Sequence, residues 1–294
     1  MMKKLNCKVL ALSLIFFMTL QASSIVYSEV SQAEKPTYSI GDSWEYSVDD
    51  KRLMMTRSLT KSVVREATIE VSGNDYDCYV IELEGSGESS EMGITVKFTV
   101  EGEIYLQKSD LTIVEMKLEE TEETEFGGET TYMITEKTNS TYDPPLNELN
   151  FPISDGKVWT VNTTETVKQK TVFDGIEPPE TEETNEIFRE YNIRIENVTV
   201  PSGTFEAFVI NYTDTNGYSE HYYSSDVGYF VKIITYDGYG LIETEEELVN
   251  YTYAGSPPAP LDWQLILVIA IVVIGIVAIS AILIMRRGKK PPGL

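Results

Sequence analysis

Histidine occurs once in the 294 residues, as His221, and cysteine twice, as Cys7 and Cys78. With Cys7 in the N-terminal export signal described below, one imidazole and one thiol cannot supply the three or four nitrogen and sulfur ligands of an ordinary zinc site without several carboxylates, so neither a metal nor a cofactor is expected. Cys78 is then alone, which leaves no internal disulfide. Positive charge is scarce too. Setting aside Lys3, Lys4 and Lys8 and the four cations after residue 285 leaves 16 Lys and Arg against 47 Asp and Glu, a formal charge near −31. Such a surface repels nucleic acid and anionic headgroups, which excludes a nucleic-acid partner. Solubility is the plain reading of this acid; weak binding of divalent cations is the sharper one.

Long apolar runs occur at the two ends only. Near the N-terminus three lysines precede residues 9–20 and then small and polar residues, the pattern of a signal peptide over 1–28. Near the C-terminus WQLILVIAIVVIGIVAISAILIM (263–285) carries no charge and meets Arg286, Arg287, Lys289 and Lys290. At about 1.5 Å per residue it reaches roughly 34 Å, enough to cross a bilayer core. The expectation is a single-pass protein of the cell membrane, with its N-terminal region outside, a Pro-rich stalk over 254–262, and a tail over 286–294 inside. The anchor has no small-x-x-x-small pair and no ionisable residue, so neither helix dimerisation nor transport is indicated.

Between the ends, runs rich in Thr, Val, Ile, Tyr and Phe alternate with Gly, Asn, Asp and Pro, which is an antiparallel β pattern. The same order of pieces occurs twice. GDSWEYSV (41–48) matches GKVWTVNT (156–163), EVSGNDYDCYVIEL (70–83) matches TVPSGTFEAFVINY (199–212), and IYLQKSDLTIVEMK (104–117) matches HYYSSDVGYFVKI (221–233). Offsets of 115 to 129 imply a duplicated unit of about 110 residues, placed at 35–143 and 150–253. The boundary is expected at TYDPPLNELN (141–150), where Pro144 and Pro145 disfavour a continued strand. The acidic stretches 119–130 and 174–186 lack apolar residues and are expected to be mobile loops.

These pieces resemble archaeal and bacterial exported proteins of LolA/LolB-like architecture: a Gly-Asp-x-Trp-x-Tyr opening, a VPSGTF hairpin (200–205) and a YYSSDVGYFVK strand pair (222–232). The resemblance is best over 191–236. It implies two tandem curved antiparallel sheets, each a half-open barrel, and an acyl chain held in the hollow. This chain departs from those carriers in having its own anchor and the unit twice.

No catalytic motif stands out. His221 and Ser225 share SEHYYSSD, but no Gly-x-Ser-x-Gly elbow surrounds either serine, and His221 reads as a strand-edge residue. Tyr79, Ile81 and Leu83 in one copy and Phe208, Ile210 and Tyr212 in the other form alternating apolar rows, the candidates for lining a ligand hollow. Trp44 and Trp159 are expected core anchors. Tyr222, Tyr223, Tyr229, Phe230 and Tyr236 either line a hollow or fill ordinary sheet faces. Asn139, Asn162, Asn197, Asn211 and Asn250 stand in N-x-S/T sequons and are expected on exposed edges or loops. Function is expected to be a binding module for a lipid, an acyl chain or a hydrophobic protein segment. A structural or adhesive envelope glycoprotein and a surface hydrolase are the alternatives.

Overall fold

The computed structural model describes residues 32–213 and 217–255. Along Ser43–Asp50, Trp44, Tyr46, Val48 and Asp50 are buried and the residues between them are less so. That period of two demands a sheet with one covered face. The strands are β1 (Gln32–Ala33), β2 (Ser43–Asp50), β3 (Met55–Val71), β4 (Asn74–Glu91), β5 (Ile94–Gln107), β6 (Ile113–Phe126) and β7 (Glu129–Leu146). They continue as β8 (Ile153–Ser154), β9 (Val158–Phe173), β10 (Thr181–Val200), β11 (Gly203–Thr213), β12 (Gly217–Ser224), β13 (Tyr229–Asp237) and β14 (Ile242–Thr252). Twelve of them, all but β1 and β8, close into one antiparallel barrel.

Two tandem half-barrels were expected; a single closed barrel is found. The strands β2 to β7 and β9 to β14 are two successive sets of six, and each would leave two edges of unpaired N–H and C=O groups. Pairing of β7 with β9 and of β14 with β2 removes all four edges at once. The matched segments fall on corresponding strands of the two sets, and the same hydrogen bonds recur. Gly41 N–H donates to Val63 O and Val63 N–H to Asp42 O; Gly156 N–H donates to Ile193 O and Ile193 N–H to Lys157 O. Asp42 N–H to Ser39 O and Lys157 N–H to Ser154 O form a third such pair. Gly41 (φ 100°) and Gly156 (φ 70°) supply the left-handed conformation that turns the chain into each tryptophan strand.

Twelve strands enclose more space than eight, whose interior side chains alone can fill. Here additional chain closes one end. The segments 32–42 and 147–157 meet there, joined by the β1–β8 ladder, and bring in Tyr38, Leu149, Phe151 and Ile153. The opposite end carries the turns β2–β3, β4–β5, β6–β7, β9–β10 and β13–β14. On β6 and β9 the outward face is polar, with Glu115, Lys117 and Glu119 on the one and Asn162, Thr164 and Thr166 on the other.

Other expectations change. The acidic stretch 119–130 is not a loop but the ends of β6 and β7 about a Gly127–Gly128 tip, and much of 174–186 belongs to β10. Alternating Thr suits a ladder whose bonds are made by backbone, whatever the charge outside. Pro144 and Pro145 lie inside β7, where pairing with β6 jumps from Thr141 to Leu146 and so bypasses them. Among the described residues no helix is long and apolar enough to cross a membrane. The expected spanning helix (263–285), signal peptide and tail lie outside the described residues, and the single-pass cell-membrane placement is withdrawn with the helix.

Trp44 is fully buried, donates from Nε1 to Val227 O at 3.0 Å and stacks on Tyr229 at 4.7 Å. Trp44→Ala is expected to cost about 3–5 kcal/mol in urea unfolding. Val158→Ala, at an exposed position, should stay within about 0.5 kcal/mol.

Candidate functional site: the barrel lumen

Strand register decides which side chains face inward. Trp44 opposes Lys61, Lys61 opposes Leu83, and Leu83 opposes Gly102, which opposes Leu118. On the other half Trp159 opposes Tyr191, Tyr191 opposes Tyr212, and Ile210 opposes His221. Ring contacts run unbroken from one tryptophan to the other. Trp159 stacks on Tyr191 at 4.8 Å, Tyr191 meets Tyr212 at 5.1 Å, Tyr212 meets His221 at 5.3 Å and His221 meets Phe230 at 5.0 Å. Phe230 touches Tyr229 at 5.0 Å, and Tyr229 reaches Trp44. This belt fills the barrel toward the closed end.

Ionised groups sit beside the belt in pairs. Lys61 Nζ is 3.0 Å from Glu246 and 4.9 Å from the Tyr46 ring centre. Burial opposes its charge most strongly, but Glu246, Tyr229 and Glu148 together outweigh it and the pKa is raised. Glu148, from the closing segment, meets Arg189 at 3.1 Å. Burial raises the Glu148 pKa against the pull of Arg189 and Lys61. Its side chain keeps 18% of its area accessible, so solvent reaches this depth. His221 is driven down to about 3 by burial, with Lys61 and Arg189 adding to it, and is neutral at ordinary pH.

Beside these pairs the lumen retains a cavity of about 140 Å³, not closed off from solvent. Val48, Leu59, Leu83, Val100 and Leu118 form its aliphatic wall, and Arg57, Glu120 and Glu246 its polar margin. Inward glycines shape it. A Cβ on Gly85 would lie 2.7 Å from Val100 Cγ1, and one on Gly102 would lie 2.3 Å from Lys117 O, so the strands approach too closely there for a larger residue. Arg57 is tied to the buried Asp50 at 3.0 Å and lies over the Phe98 ring at 4.4 Å. The turns at the open end carry exposed apolar residues: Met54, Met92, Phe126, Ile176 and Tyr239.

Of the six lining candidates, Tyr79, Ile81, Leu83, Phe208, Ile210 and Tyr212 all lie on inward-facing positions, but only Leu83 borders the cavity. The rest are packed in the core. Tyr223, Tyr229 and Phe230 belong to the packed interior, whereas Tyr236 stacks on Tyr218 at 4.0 Å. His221 is an inward mid-strand residue and not at a strand edge; Ser225 follows β12 in a turn. Cys78 is fully buried on the opposite face of β4, its thiol pushed up to about 11 by burial. The sequon asparagines lie within strands, not on edges or loops: Asn162, Asn197 and Asn250 are exposed, Asn139 and Asn211 less so. Asn211 is held by Arg194 at 2.8 Å. The inward charges Lys61, Arg57, Glu120, Glu148 and Arg189 were not foreseen. For all but Glu148, which lies in the closing segment, the signal is a charge at the apolar parity of a strand, as Lys61 between Leu59 and Val63 shows.

No family model and no curated protein matches the chain. Among solved structures, the crystal structure of a "putative lipoprotein" from Parabacteroides distasonis aligns over 75% of this chain and 99% of its own, at 12% identity and TM-score 0.30. A likeness of that size carries no functional argument.

The displaced His221 pKa has a consequence for stability. Below its ordinary value of 6.5 the unfolded chain takes up a proton that the folded chain refuses, so stability falls as pH drops toward about 3. The melting temperature should therefore decline from pH 6.5 to 5, and His221→Phe should flatten that decline relative to the parent.

Proposed function

We propose that the barrel is a binding module that holds one short apolar group in its lumen cavity. The aliphatic wall, left unfilled beside an otherwise packed interior, is the observation that supports this reading. A dry apolar cavity of about 150 Å³ accepts benzene, which sets the scale: a ring or a short chain, not a full acyl tail. The resemblance to LolA/LolB-like carriers suggests acyl ligands in a half-open hollow. A closed barrel narrows that to the end of a chain. Burying five methylenes at about 0.8 kcal/mol each gives about 4 kcal/mol, a dissociation constant near 1 mM for the apolar part alone.

Methyl NMR during titration with hexanol is the test. Shifts should concentrate at Val48, Leu59, Leu83, Val100 and Leu118 and saturate in the millimolar range. Leu118→Trp, which fills the space, should abolish them. Shifts spread over the surface, or unchanged in Leu118→Trp, would contradict a lumen site.

A further inference from the structure

We propose that the occupant of this cavity is a cationic amphiphile, a short alkyl or aryl group bearing an ammonium, with the cation placed at Glu120 and Glu136. The proposal rests on the lumen reading above and adds the chemistry of the head group.

Three observations carry it. Glu120 and Glu136 stand directly opposite each other on β6 and β7 and share the inward parity of Leu118 and Thr138. Like charges in that relation destabilise a sheet unless something lies between them. Glu120 also borders the aliphatic cavity, so a charge and an apolar wall are offered to one molecule.

Of the cations nearby, two are already committed, while Arg52 in the β2–β3 turn acts on Glu120 more weakly than Arg57. Arg57 is paired with Asp50 and Lys61 with Glu246. Glu136 accepts from Gln169 Nε2 at 2.5 Å, which is a neutral partner. Burial raises the Glu120 pKa; Arg57 and, more weakly, Arg52 oppose it, and the facing Glu136 adds to the rise.

A metal ion suits the place poorly. Among the described residues no group of three or more His, Cys, Asp or Glu gathers to hold one, and hard cations seek several oxygens. An organic cation needs fewer contacts and gains from the wall. A second unmet group borders the same space: Arg57 Nε is shielded and has no partner, so an oxygen next to the amine would find a donor. The net charge of −24 favours approach of a cation and disfavours a fatty acid.

Titration of the full chain with hexylamine, hexanol and hexanoate at pH 7, followed by the same methyl resonances, decides the matter. Hexylamine should bind at least tenfold tighter than hexanol, and hexanoate more weakly than either. Glu120→Gln should erase the preference for the amine over hexanol. Glu120→Gln and Glu136→Gln should each raise the melting temperature, which shows that the variants fold. Equal binding of hexylamine and hexanol, or preference for hexanoate, would overturn the proposal and leave the lumen reading standing. Failure of all three ligands to bind would overturn both.

Discussion

Closure of the sheet rests on two seams, β7 with β9 and β14 with β2, and the second joins residues about 200 positions apart in the chain. Hairpins form from neighbouring residues, but these seams do not, and every backbone group at the edges of the two six-stranded sets depends on them. An open edge in so acidic and Thr-rich a chain would be a template for pairing with another molecule. With the seams made, the barrel sheet has no open edge strand. The repeated hydrogen bonds around Gly41 and Gly156 show each half starting its first strand in the same way. Two six-stranded sets then complete one structure.

A barrel of this width sets its own interior problem. Aromatic rings and the closing segments 32–42 and 147–157 solve it at one end, and the charges drawn inside by the register are paired: Lys61 with Glu246, Arg189 with Glu148, Arg57 with Asp50. Breaking such a pair costs more than forming it gains, because the remaining charge stays in a poor solvent. Against this background the aliphatic wall of the cavity and the facing Glu120 and Glu136 are exceptions. They are places where folding alone leaves something unsatisfied, and so where binding has something to add.

Much of the architecture was legible residue by residue. The alternation in Tyr79, Ile81 and Leu83 marks the inward face because a pleated strand has a period of two, and the paired tryptophan strands mark equivalent starts. What could not be read is which edges meet. Strand pairing is made by backbone groups that every sequence shares, so nothing in β2 itself names β14 as its neighbour. The acidic strand ends were misread for a related reason: Glu on an outward position costs a ladder little, while its density imitates a loop. The partners of inward charges such as Lys61 and Glu148 could not be read, because they come from distant strands.

The most direct test of closure is disulfide trapping across the β14–β2 seam. Ser47 and Glu247 are opposite one another on the outward face, while the native Cys78 is buried. In a Ser47→Cys, Glu247→Cys variant, mild oxidation should give a rapid disulfide within one molecule, at a Cα separation of about 4.5–5.5 Å. Two separate half-barrels would keep these positions apart. Free thiols under the same oxidation, or disulfides only between molecules, would contradict the closed barrel.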